Sequence, residues 1–420
     1  MENPFLFKPQ DPPPKIRYER LFANLLTFPE DSPKRGRPPF RHDSLLRALI
    51  YRNLRGLPSL SELAFELKNN PLMAETLGFP AWESPPSVER FSHFLRSTAN
   101  EDLQVIRLFL VHQLIEEKVV SGETISMDSC PIEANVRENN LKTSVKTRFD
   151  KNHKPPGDPE ARLGVQIHYP RLFQRKIAFF WGYRNHILTD ASSELPVHER
   201  TLAADEDERK QAASLLEELT TYFDLPIKYV IGDANYDSED FLSHILDEMK
   251  ATPIIPRNPR STQHEEFKIK KNIILCPADL GMYRKGKMTV KGKTYLQYSC
   301  PLHYGKNYKG LYLICPALHP KYFSQKGCNY LIRLTPNVRD RIDYGSRRFK
   351  SVYNQRTSVE RVFSRLLAIT MQRPTVLGLQ ATRNHCTIAH ITVLLVALAA
   401  HRSGHEDKIR FVKSFLPNFA

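Results

Sequence analysis

Asp128 and Asp233 each stand at the end of a short apolar run of strand character, ETISMDS over residues 123–129 and IKYVIGD over residues 227–233. A third acid, Glu360, lies in SVYNQRTSVERVFSRLL, residues 351–367. Helical spacing puts Tyr353, Arg356 and Glu360 on one face there, beside an apolar stripe of Val359, Val362, Phe363, Leu366 and Leu367. Strand ends and a helix face are where an α/β sheet gathers side chains into one cleft. Three carboxylates sharing a cleft repel one another unless cations stand between them. Hard carboxylate oxygens with no His or Cys beside them suit Mg2+ or Mn2+. Two such ions about 4 Å apart form the nuclease and polymerase arrangement, in which one activates the attacking water or hydroxyl and the other stabilises the leaving oxygen. Each acid alone has a plainer reading. A strand-end Asp is commonly a turn or a helix cap, as expected for Asp237, and Arg356 with Glu360 reads as a surface ion pair.

The elements that must position these acids are spread over 420 residues, room for two or three domains. The net charge of +15 points to a polyanionic partner, nucleic acid first and an anionic membrane second. No apolar run reaches the roughly 18 residues of a membrane span. The longest, residues 391–400, is followed by His401 and Arg402 and reads as a buried helix. The N-terminus lacks the pattern of a secretory signal. Six scattered Cys fit a reducing compartment. A cytoplasmic, bacterial protein acting at the chromosome is expected.

Residues 1–35, Pro-rich and charged, read as an extended arm that leads into Lys34-Arg35-Gly36-Arg37-Pro38-Pro39. Arg37 in that core resembles the arms that enter a narrow minor groove; a basic linker is the plainer reading. From His42 to Ala99, short helical patterns alternate with turns at Gly56, Pro58, Asn70 and Gly78, and a longer helix follows over 101–120. Such a module fits a helix-turn-helix-like DNA binder or a small bundle. Residues 135–154 hold six Lys and Arg against two acids with no hydrophobic period, an exposed basic loop. Strands are expected over 163–168 and 176–190, a helix over 205–223, a helix over 239–249 capped by residues 236–238, and a strand over 252–255.

Residues 256–326 carry 14 Lys and Arg against three Asp and Glu, a net of +11. Alternating Lys and aromatics in KGKMTVKGKTYLQYSC predict β-hairpins. Lys285, Lys287, Lys291 and Lys293, with Tyr283, Tyr295, Tyr298, Tyr304 and Tyr308, would track a phosphate backbone; a lysine-protected sheet edge is the alternative. Cys276, Cys300, Cys315 and Cys328 lie in the same region, with Cys300 and His303 as a C-x2-H pair. Their wide gaps lack the close pairs of a zinc ribbon, so buried free thiols are the default and a structural zinc the alternative.

ISMDSCPIEA, YVIGDANYDSEDF and YNQRTSVERVFSRL resemble the three acid-bearing segments of bacterial insertion-sequence DDE transposases, in the group with a β-rich insert before the final Glu. FFWGYRNHILTD resembles the strand between them, and GRPPFRHDSLLRALIYRNLRGLPSLSELAFEL with SVERFSHFLR resembles the N-terminal domain of that group. The motifs fall in the family's order over roughly residues 35–400. The resemblance implies an α/β fold with an RNase H-like catalytic core, a helical N-terminal domain and a β-rich insertion. Its divisions would be a Pro-rich arm over 1–35, a DNA-binding domain over 36–118 and the first part of the core over 119–255. The basic insertion would span 256–340, the final core helices 341–400 and a tail 401–420. It implies Asp128, Asp233 and Glu360 as catalytic metal ligands for Mg2+ or Mn2+, two ions per site. Double-stranded DNA, both transposon ends and target, would be the partner, bound by a homodimer, with no membrane. Tyr353 and Arg356 would contact phosphate near the site. The Lys that often follows the Glu by seven positions is Leu367 here, and Arg361 or Arg365 would take its phosphate contact. The implied activity is binding of terminal inverted repeats with metal-dependent strand cleavage and transfer. The alternatives are a catalytically silent, transposase-derived DNA-binding protein and a structure-selective repair nuclease.

Overall fold

The structure, a computed structural model, describes residues 14–28, 40–171, 174–258, 268–270, 273–304, 314–324 and 327–412. Arg37 and Tyr308 lie outside the described residues.

Six helices come first: α1 (Pro14–Phe22), α2 (His42–Arg55), α3 (Leu60–Asn69), α4 (Pro71–Thr76), α5 (Val88–Ser97) and α6 (Asn100–Glu116). Their ends follow local chemistry. Ser59 caps α3, Asn70 caps α4 ahead of Pro71, and Gly56 closes α2 in the left-handed conformation (φ 65°). Helix α1 corrects the expectation of an extended arm over residues 1–35. It buries Tyr18, Leu21 and Phe22, and the Tyr18 ring meets Tyr51 of α2 edge-on at 5.3 Å. Burial of an amphipathic face outweighs the Pro-rich composition around it.

The core is a mixed sheet: β1 (Thr124–Glu133), β2 (Arg162–Arg171), β3 (Gln174–Asp190), β4 (Leu195–Ala203), β5 (Tyr229–Ile231) and β6 (Thr252–Ile254), with α7 (Glu208–Tyr222) between β4 and β5 and α8 (Glu239–Ser243) between β5 and β6. The first half of β3 pairs with β2, and its second half runs antiparallel between β1 and β4. Strand β5 runs parallel to β1, and β6 parallel to β5. Reading across from β4 gives β4-β3-β1-β5-β6. Strand β4 has no clear period-2 signal in sequence, because His198, Glu199 and Thr201 are buried among its apolar residues.

The insert is separate from this sheet. Strands β7 (Lys268–Lys270) and β8 (Ile273–Leu275) form one hairpin. Strands β9 (Tyr283–Val290), β10 (Lys293–Ser299) and β11 (Asn329–Arg333) form a three-stranded antiparallel sheet, with α9 (Pro301–Tyr304) after β10. Lys291 and Gly292, both at positive φ, make the two-residue turn between β9 and β10.

The chain then returns as α10 (Arg347–Tyr353), α11 (Thr357–Ala368) and α12 (Leu379–Arg402). The single helix expected over 351–367 is broken by a 3-10 turn at Asn354–Arg356. Helix α12 is long and apolar enough to cross a membrane, yet 94% of its apolar window is buried inside the fold. It packs on α2, α5, α6 and β4, locking the helical module to the sheet.

Candidate active site

Asp128 lies inside β1, which continues to Glu133, rather than at the end of a strand. Ser126 of β1 pairs with Ile231 of β5 in parallel register. Asp128 is two residues beyond Ser126, still within β1, and Asp233 is two beyond Ile231, just past the end of β5, so both acids follow the same register pair. Gly232 lets the chain before Asp233 pack closely on β1: a Cβ there would lie 2.5 Å from Met127 Cε and 3.1 Å from Tyr236 Cδ2. The Asp233 carboxylate caps the 3-10 turn Ala234–Tyr236, accepting from the backbone N–H of Asn235 at 2.9 Å and from its side-chain amide at 3.0 Å.

Burial pushes the Asp128 carboxyl up to about 7; the N–H of Ser129, 2.7 Å from its Oδ1, opposes the shift, and the charges of Asp233 and Glu208 add to it. Burial also raises Asp233, and the charge of Glu208 adds to that. Arg356 is the cation that works against both shifts. Its guanidinium holds Glu360 in an ion pair at 2.7 Å. Asp128 feels the charge of Asp233, and Arg356, whose charge acts on both aspartates, holds the half-exposed Glu360 in its ion pair. Helix α11 carries Glu360 against β1, β3 and β4, seated by buried Val359, Val362, Phe363 and Leu366. Among the described residues, no three His, Cys, Asp or Glu side chains are already grouped to hold a metal ion.

Glu208 is the acid that sequence reasoning missed. It begins α7 just after the cap Asp207 and looks like an ordinary first-turn acid. Here it pairs with Arg184 at 2.7 Å and accepts from the Ser129 hydroxyl at 3.0 Å, directly behind Asp128. Asp237 is a correction: Ser238 caps α8, while Asp237 is buried, pairs with Arg339 at 2.7 Å and accepts from the N–H of Asn258.

The expected DNA contacts divide into two groups. Tyr353 stacks on Phe349, and Arg356 stands 6.0 Å from the Tyr353 ring. Lys285, Lys287 and Lys291 are exposed, with Lys285 over the Tyr304 ring at 4.6 Å. The others are engaged within the protein. Lys293 pairs with Glu239, Arg361 with Glu194 at 3.0 Å, and Arg365 with both the carboxylate and the carbonyl of Glu194.

Residues 171–398 match the family described as "Transposase DDE domain", and residues 17–97 match "Transposase domain (DUF772)". No curated protein matches the chain. Among solved structures the chain is similar to a piggyBac transposase in a synaptic complex with hairpin DNA, at 12% identity, over 96% of this chain and 78% of that chain, with a TM-score of 0.44.

Proposed function

The chain belongs to the Transposase DDE domain family, whose members cleave and join DNA with divalent metal, and from that premise we propose that Asp128, Asp233 and Glu360 form its catalytic triad. The observation that carries the reading is that Asp128 in β1 and Asp233 just past the end of β5 each lie two residues beyond the parallel pair Ser126 and Ile231. The strand order β4-β3-β1-β5-β6, three antiparallel strands followed by two parallel ones, supports an RNase H-like core. The preceding helices and the β-rich insert would be its DNA-binding attachments.

The donor set fits a hard divalent cation. Two half-buried carboxylates are both held above their ordinary range by burial, and the charge of one guanidinium, Arg356, acts on both. Mg2+ or Mn2+, two ions held by Asp128, Asp233 and Glu360, would supply an activated water or hydroxyl and charge stabilisation at the phosphodiester. As carboxylates, Asp128 and Asp233 would be the ligands. Glu208 and Arg184 hold Ser129 and so fix the strand under Asp128. Arg356 leaves Glu360 for a phosphate oxygen of the DNA, to which its planar fork is suited, and this frees Glu360. Tyr353 lines the same approach. The partner is double-stranded DNA, transposon ends and target, and holding two ends together calls for a homodimer.

The test is cleavage of a supercoiled donor plasmid carrying the element's terminal inverted repeats. Nicking at the repeats that needs Mg2+, and is lost in Asp128→Asn, Asp233→Asn and Glu360→Gln, is expected. Binding of the repeats without any cutting by the wild type would favour a silent DNA-binding derivative. Cutting that survives all three substitutions would remove the triad.

A further inference from the structure

Three turns of the insert begin with the same dipeptide. They are Cys276-Pro277-Ala278-Asp279, Cys300-Pro301-Leu302-His303 and Cys315-Pro316-Ala317-Leu318. In each, the N–H of the fourth residue donates to the carbonyl of the Cys: Asp279 to Cys276 at 2.8 Å, His303 to Cys300 at 3.2 Å, and Leu318 to Cys315 at 2.9 Å. Pro presets the backbone of such a turn, but nothing in turn formation requires Cys at its head. All three thiols are buried, and so is that of Cys328. The fourth Cys arrives beside the second. A Cβ on Gly327, at φ +59°, would lie 2.7 Å from Cys300 Cβ and 2.7 Å from the His303 ring. His319 Nδ1 lies 3.3 Å from Cys328 Sγ.

Among the described residues, the insert's own core has six buried members, Ile274, Cys276, Leu280, Met282, Cys300 and Cys328, so half of that core is Cys. Small sheets with so thin a core usually need a disulfide or a metal. All six Cys of the chain are free.

We propose that Cys276, Cys300, Cys315 and Cys328 are the four thiolate ligands of a structural zinc ion that ties the insert's hairpin and its three-stranded sheet together. Four soft sulfur ligands favour tetrahedral Zn2+. On binding, four Zn–S bonds form and the thiol protons pass to solvent, with no redox change. No three such side chains are already grouped to hold an ion among the described residues, so binding draws the turns inward. The ion's reach extends to the core, because Arg333 and Lys293 of the same sheet both pair with Glu239 of α8.

The experiment is metal analysis of the full chain purified without added metal, followed by Co2+ replacement. About one zinc per chain is expected, retained in Asp128→Asn and in Cys130→Ser and Cys386→Ser, which remove thiols outside the insert. Cys300→Ser and Cys328→Ser should cut the zinc content at least tenfold. Co2+ bound to the wild type should show thiolate charge-transfer absorption, a readout that needs no variant to fold. Four freely alkylated insert thiols with no bound metal, a disulfide among them, or iron in place of zinc would each overturn the proposal. None of these outcomes depends on cleavage activity.

Discussion

Asp128 and Glu199 sit in one cross-strand row of the sheet, with Ile187 directly between them. Residues paired in this way point to the same face, yet the two carboxylates are held in opposite ways. Glu199 accepts from Gln104 at 2.6 Å, Thr387 at 2.7 Å and Asn185 at 2.7 Å. Burial alone would raise its pKa, but the charges of His390 and Arg107 and these hydrogen bonds hold it below the ordinary range. Asp128, two strands away, has the opposite shift and faces other acids. A buried carboxylate whose neighbours are all donors is structural. One left beside another carboxylate keeps unused capacity to bind a cation.

The largest expected effect tests that contrast from both ends. Asp128→Asn or Asp233→Asn should reduce strand cleavage by at least about a thousandfold, the scale of losing a principal catalytic electrostatic group, while leaving the fold intact by circular dichroism. Glu199→Gln should weaken the buried hydrogen bonds from Gln104, Thr387 and Asn185 and cost about 1–3 kcal/mol in denaturant unfolding. If Glu199→Gln were as stable as the wild type, the two carboxylates would not differ as described.

The next effect is in pH. With chelator present, the native state binds the Asp128 proton more tightly than the unfolded chain, because the carboxyl is pushed up to about 7. The resulting stability is complete below the unfolded value near 4 and is lost as pH rises through 7, by about 1.4 kcal/mol per unit. Asp128→Asn should escape that loss, so its advantage over the wild type grows from pH 4 to 7 and then levels off. Adding Mg2+ at pH 8 should raise the melting temperature of the wild type and not of the variant. Parallel stability curves for the two proteins would contradict the burial of this charge.

These sites were unequally legible in sequence, for physical reasons. Asp128 and Asp233 could be read because a short apolar run followed by an acid is a local pattern. The row that joins Asp128 to Glu199 could not, because β4 buries polar side chains whose partners come from other elements, α6, α7, α12 and β3. Glu208 was hidden as an ordinary helix-start acid. Helix α1 was hidden by the prolines around it. Arg361 and Arg365 were read as free cations, since the partner that holds them, Glu194, lies far away in the chain.

A smaller effect separates free from engaged cations in the insert. Lys285 and Lys287 are exposed on β9, whereas Lys293 is paired with Glu239. Replacing Lys285 and Lys287 together with Gln should flatten the log–log salt dependence of DNA binding by about 2, near 0.9 for each phosphate contact. Lys293→Gln should hardly change that slope. Equal effects would mean that the ion pair with Glu239 opens on DNA.

The smallest stability change is expected at Glu360. Its side chain is half exposed, and its partner Arg356 lies one helical turn away. A pair of that kind contributes about 0.3–0.5 kcal/mol, so Glu360→Gln should unfold within about 0.5 kcal/mol of the wild type at any pH above 5. That near-zero cost makes the position informative. Asp128 and Asp233 are both half-buried, so a loss of cleavage on replacing them has to be separated from a change in packing. At Glu360 packing is hardly involved, and a large loss of cleavage in an equally stable protein would have to come from the chemistry of the carboxylate. Full cleavage by Glu360→Gln would reduce Glu360 to the surface ion pair that its spacing first suggested, and would leave Glu208, already coupled to both aspartates, as the third acid of the site.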